Sequence, residues 1–146
     1  MRPIVPLILA PLLAACGNGE TGGSAELPGD IDDTAPFDAI ASGETVYFSG
    51  TEPFWGGEVS NGELTWSTPD NIDGMSIAVE RFAGRGGLSF NGSLEDQDFV
   101  MTVTPGECSD GMSDRTYPYT ATVALGEETL AGCAWTDNDP YTGGEG

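Results

Sequence analysis

Between Gly43 and Trp135 short apolar stretches recur about every ten residues, separated by Gly, Asn, Pro and Asp. No segment sustains a 3.6-residue apolar period, so the chain cannot build amphipathic helices there. This spacing predicts an all-β sandwich or barrel. The expected strands are Thr45–Ser49, Phe54–Ser60, Glu63–Ser67, Met75–Arg81, Leu88–Asn91, Phe99–Thr104, Tyr119–Leu125 and Thr129–Trp135. Eight short strands joined by tight turns suit a small antiparallel β-barrel. Closure would also remove the unpaired edges that an open sheet exposes. The chain shows no internal repeat.

One hairpin can be read residue by residue. Asn61-Gly62 is the strongest two-residue turn signal, because a type I′ turn needs positive φ at both positions. It pairs Ser60 with Glu63, Val59 with Leu64, Gly57 with Trp66 and Trp55 with Thr68. Trp55, Val59, Leu64 and Trp66 then share an inward face, with Gly57 making room for the Trp66 ring. Glu58, Thr65 and Ser67 face water. A slip of one residue would bury Glu58, so the register is well specified. Phe99, Met101 and Val103 form a second inward stripe, and Ile77 and Val79 a third. The last hairpin admits either a type II′ turn at Gly126-Glu127 or a longer loop.

Charge removes whole classes of chemistry. The 146 residues hold 24 acids, four arginines, no lysine and no histidine, for a formal charge of −20. Without His there is no Ser-His-Asp triad, Cys-His pair or imidazole metal ligand. Without Lys there is no Schiff base and no Walker-type phosphate loop. So acidic a chain offers nucleic acid no basic face. Nor does its charge hold it on anionic lipid.

The first sixteen residues, MRPIVPLILAPLLAAC, place one Arg before an apolar run and a small-residue exit. That is the layout of a secretory signal peptide, and the run is too short to span a bilayer, which takes about 20 residues. Leu13-Ala14-Ala15-Cys16 closely resembles the lipobox of bacterial lipoproteins. The resemblance implies cleavage before Cys16 and acylation of that residue. Gly17, in place of Asp, implies sorting to the outer membrane. Several acyl chains anchor stably, at about 0.8 kcal/mol per buried CH₂. The expected organisation is a signal peptide over 1–15, lipidated Cys16 and a disordered acidic linker over 16–42, a barrel over 43–136 and a flexible tail over 137–146. Gly17–Ser42 carries six acids, no base and few large apolar residues. Such a tether cannot offset its chain entropy by burial. It would reach about 25–30 Å, and more under self-repulsion.

With Cys16 lipidated, Cys108 and Cys133 remain. An exported chain with one even pair suggests one disulfide. Closing a loop of about 26 residues would contribute roughly 3–4 kcal/mol on the chain-entropy model. The alternative, a two-thiolate metal site, lacks further soft ligands.

Three stretches carry a second resemblance: Gly50-Thr51-Glu52-Pro53-Phe54-Trp55, Leu64-Thr65-Trp66-Ser67-Thr68-Pro69 and Cys108-Ser109-Asp110-Gly111-Met112-Ser113-Asp114-Arg115-Thr116-Tyr117-Pro118. Together they resemble an uncharacterised family of bacterial envelope proteins with GTEPFW and CSDGMSDRxYP boxes, over about Val46 to Ala134. The architecture is loosely similar to META-type domains and to the membrane-bound inhibitors of C-type lysozyme. Those inhibitors use a Ser loop and a Lys. Ser113–Tyr117 matches the loop only faintly, and the Lys is absent.

Each candidate site has a bland counterpart. Phe54 and Trp55, with Glu52 as a polar contact, read as an aromatic recognition rim, or as a barrel plug with Phe54 under a loop. Cys108–Pro118 is a long connection, read as a disulfide-held binding loop offering Asp110, Ser113, Asp114, Arg115 and Tyr117, or simply as a rigid loop. Ser113 has no base to activate it. Arg81, Arg85 and Arg115 would grip an anion if they converged, whereas pairing with neighbours such as Glu80 is the simpler account. Asp70–Gly74 fails calcium-loop spacing, since no acid falls third and Gly comes one residue early. Glu95–Asp98 and Asp137–Asp139 read as turns. No metal, cofactor or catalytic group is expected. The expectation is a non-enzymatic outer-membrane lipoprotein that binds a small molecule or a protein in the envelope, with a lysozyme-inhibitor-like protein as the alternative.

Overall fold

A computed structural model describes residues 35–144. The leader over 1–15, Cys16 and the linker up to residue 34 lie outside the described residues. Eight strands follow: β1 (Val46–Thr51), β2 (Phe54–Ser60), β3 (Glu63–Thr68), β4 (Asn71–Ala83), β5 (Leu88–Leu94), β6 (Gln97–Ser109), β7 (Thr116–Leu125) and β8 (Glu128–Thr136). Each pairs antiparallel with the next, and β8 pairs with β1, giving a closed all-β barrel.

Turn chemistry sets the order. Asn61 and Gly62 have φ of 50° and 79°, and the ladder pairs Ser60–Glu63, Val59–Leu64 and Gly57–Trp66, as expected. It ends at Gly56–Ser67, short of the expected Trp55–Thr68 pair. Gly57 has a different role from the one the sequence suggests. Its φ is 155°, and a Cβ there would collide with the Thr65 carbonyl and come within 3.0 Å of the Phe48 ring. The backbone and Phe48, rather than Trp66, demand the glycine. Glu95 and Asp96, at φ 50° and 66°, make a second type I′ turn without any glycine. The hairpin left open by the sequence closes through Gly126-Glu127, with Leu125 opposite Glu128 and Gly126 at φ 59°, the type II′ pattern.

Burial follows strand alternation. Val59, Leu64, Ile77, Val79, Phe99, Met101 and Val103 all point into one core. Phe48, Trp55, Trp66 and Phe99 fill it as an aromatic group, with Trp55 stacked on Trp66 at 5.3 Å and the Phe99 ring T-shaped to Trp66 at 5.4 Å between centroids. Aromatic pairs of this geometry contribute about 0.5–1.5 kcal/mol beyond their buried area.

Both ends of the expected domain need correction. The linker was placed up to residue 42, yet Ile40 is buried in the core and Phe37 packs against it. The Phe37 N–H donates to the Gly84 carbonyl at 2.7 Å, and Arg81 Nη2 donates to the Ile40 carbonyl at 2.7 Å. These two apolar side chains stand in an acidic stretch and take part in the core, so the segment docks. The tail was expected to be flexible, yet Thr142 and Thr116 exchange backbone hydrogen bonds of 2.8 and 2.9 Å. Tyr141 lies 5.3 Å from Tyr117 and 5.6 Å from Trp135, and the Arg115 guanidinium sits 4.3 Å over its ring. Aromatic contact and a cation–π interaction offset the ordering cost.

Cys108 and Cys133 form the disulfide, with Cα atoms 5.6 Å apart. They belong to β6 and β8, which flank β7. Strands two places apart in a sheet lie about 9–10 Å from one another. β6 must therefore leave the sheet line, and it does so at the register shift between Pro105 and Cys108. That bulge carries the end of β6 toward β8, where the disulfide holds it.

Candidate functional site

The expected binding loop is shorter than the sequence suggests. Cys108, Tyr117 and Pro118 belong to strands, which leaves only Asp110–Arg115 as the connection between β6 and β7. The loop is tied by its own side chains. Asp110 Oδ1 accepts from the backbone N–H of Met112 at 2.9 Å and of Ser113 at 2.7 Å. Asp110 Oδ2 accepts from Ser113 Oγ at 2.6 Å and from the Tyr117 hydroxyl at 3.3 Å. These bonds, led by the Ser113 hydroxyl, pull the Asp110 carboxyl down to about 2. Thr51 Oγ1 donates to the Asp110 carbonyl at 3.2 Å, fastening the loop to the end of β1. Ser113 Oγ also accepts from the Arg115 N–H at 3.2 Å. Arg115 is pushed above the ordinary arginine range, chiefly by the Tyr117 hydroxyl. Asp110, Ser113, Arg115 and Tyr117 thus serve loop geometry, while Asp114 is exposed.

The cations of the described residues have separate engagements. Arg81 serves Ile40 rather than its neighbour Glu80, Arg115 covers Tyr141, and Arg85 lies exposed in the β4–β5 connection. Asp70 sits in the β3–β4 turn, and the Gly74 N–H donates to Asn71 Oδ1 at 3.2 Å. Among the described residues no group of three or more acids or cysteines converges on a metal-sized site.

The barrel end that gathers the turns around Phe54 is different in character. Here lie the β1–β2, β3–β4, β5–β6 and β7–β8 turns. Trp55 points inward and is 5 % exposed, while its neighbour Phe54 is 54 % exposed. Glu52 stands exposed in the turn before them, where the Glu52–Pro53 peptide is cis. Phe54, the Trp55 edge, Pro69 and Ile72 border an open groove of about 270 Å³, completed by Gly56, Ser67 and Thr68. Ile72 is 80 % exposed, a large aliphatic side chain held in water. Sequence reasoning missed Ile72, which stood inside the polar run Asp70-Asn71-Ile72-Asp73. An apolar residue between acids, two positions after a turn, was the available signal.

Beside the groove is a second, more enclosed cavity of about 350 Å³. Trp66, Met75, Leu94 and Leu125 supply its apolar walls, and Thr68, Asn71 and Glu95 its polar side. Of the expected site residues, Phe54 and Trp55 share this end of the barrel, and the Asp110–Tyr117 group meets it through Thr51, which pairs with Phe54 and donates to the Asp110 carbonyl. Comparison with protein-family models, with curated proteins and with solved structures finds no match.

Proposed function

We propose that the chain is an outer-membrane lipoprotein, anchored through Cys16 and facing the periplasm, whose barrel is a non-enzymatic binding head. The groove at Phe54 and Ile72 carries this reading. Apolar groups are ordinarily withdrawn from water, and a concave apolar patch that a fold leaves uncovered is the usual form of a binding surface. The interior is filled by aromatic rings, so the ligand is met at the rim. The signal-like leader and the resemblance of the two boxes to envelope proteins support the location.

Two measurements test the proposal. Mass spectrometry of the native protein is expected to find Cys16 acylated. Nile red, a neutral apolar dye, is expected to bind the folded protein, and Phe54→Ser with Ile72→Ser is expected to abolish that binding with an unchanged far-UV spectrum. Unmodified Cys16 would remove the anchor. Dye binding indifferent to the double substitution would remove the site.

A second reading, capture of a cationic hydrolase such as lysozyme, draws on the Asp110–Arg115 loop. The loop is pre-organised by Asp110 and carries Asp114 into solvent, and a charge of −20 would steer a basic enzyme inward. Inhibition of lysozyme turbidity clearance that survives high salt and weakens with Asp114→Asn would favour it. Inhibition that vanishes with salt would mean charge attraction alone.

A further inference from the structure

We propose that the cavity beside the groove binds an organic monocation with an apolar body, such as a substituted ammonium. This inference stands apart from the Phe54 site, since Thr68 alone borders both spaces.

Size comes first. A volume of about 350 Å³ lies within the range of small-molecule sites. The walls then define the body of the ligand. Trp66, Leu94 and Leu125 are apolar, and Trp66 is already stacked on Trp55, which fixes its ring as a rigid wall. A flat or branched hydrocarbon group is the natural partner of such a surface.

Charge defines the head. Glu95 is the one charged residue on the cavity's lining, and a carboxylate can only accept hydrogen bonds. Thr68 and Asn71 are neutral. No described arginine is near. Arg81 is held by Ile40 and Arg85 lies between β4 and β5, whereas the cavity is bordered by the β3–β4 and β5–β6 turns at the other end of an up-and-down barrel. Arg115 is engaged by Tyr141. An anion entering here would meet Glu95 and the field of a chain at −20, with no opposing charge. A cation gains from the same field and from Glu95. A bare metal ion fits poorly, because hard cations need several oxygen ligands and one carboxylate does not supply them. The combination of an indole, two leucines and a single carboxylate suits an organic cation.

The test uses the full chain held in nanodiscs of zwitterionic lipid. Benzyltrimethylammonium is titrated by calorimetry against benzylsulfonate, an anion of similar size, and tert-butylbenzene, a neutral one. Saturable binding of the cation is expected, with the anion at least about tenfold weaker. Glu95→Gln is expected to weaken the cation about fivefold and leave the neutral compound unchanged. Glu95→Asn, suited to the positive φ at that turn, serves as a second neutral variant should the first fold poorly. Leu125→Trp should fill the space and abolish binding of both. Phe54→Ser and Ile72→Ser should leave it intact. Equal affinity for cation and anion, no effect of either Glu95 variant, or loss of binding with the groove variants would each overturn the inference. All three leave the Phe54 reading standing, because the Nile red measurement decides that reading separately.

Discussion

Trp55 stacks on Trp66 with ring centroids 5.3 Å apart and planes 21° apart, and both rings are buried in the barrel. The pair occupies the space that a wider barrel would leave as a lumen, while Phe54 and Ile72 at the rim are left in water. Trp66→Ala is therefore expected to lower stability by about 3–5 kcal/mol, the cost of removing a large buried aromatic. Phe54→Ser, at the exposed start of β2, should change stability by no more than about 0.5 kcal/mol. Urea unfolding followed by circular dichroism checks both.

The Cys108–Cys133 bridge joins strands that do not pair with each other. Replacing both cysteines by serine should cost about 3 kcal/mol through the entropy of the unfolded chain. Because the bridge holds the end of β6 after its bulge, hydrogen exchange in the double variant should rise first in residues 106–115. Uniform loss of protection would contradict the local role.

Asp110 gives a pH signature. Its carboxyl is about 2 in the folded state against about 3.9 unfolded. A depressed acid stabilises the fold fully above the unfolded value and loses that contribution as pH falls through the folded one. Stability should thus fall between about pH 4 and pH 2. Asp110→Asn should flatten that part of the profile in a series of thermal melts at stepped pH.

Tyr119 titrates in the opposite sense. Burial and the Asp139 carboxylate push its phenol up to about 12. A raised phenol keeps its full contribution below the ordinary value near 10 and loses it as pH climbs to 12. Ultraviolet titration of the native protein should show a tyrosine ionising late. Asp139→Asn should lower that value but keep it above 10, because burial is the larger cause.

Gly57 tests the backbone argument. Ala at this position must leave φ near 155° and move its Cβ off the Thr65 carbonyl. Strained positions of this kind cost about 1–3 kcal/mol before any collision is counted. A Gly57→Ala protein as stable as the parent in urea would show that β2 and β3 can separate there without cost.

Local rules already determine much of this chain. Alternation places Leu64, Phe99, Met101 and Val103 inside, and Asn61-Gly62 sets a register that only one inward face satisfies. Those features depend on neighbours two to five residues away, so they can be read along the sequence. Barrel closure decided the rest. Ile40 and Tyr141 stand in polar stretches and are captured only because a closed barrel presents them with a core end and an aromatic wall. The bulge after Pro105 brings Cys108 to β8, shortens the expected loop and turns Asp110 onto its own backbone. Ile72 and Glu95 lie 23 residues apart in the chain, and their places at one rim arise from which turns the topology collects at the same end. Such juxtapositions come from long-range pairing, for which no local pattern of side chains carries a signal.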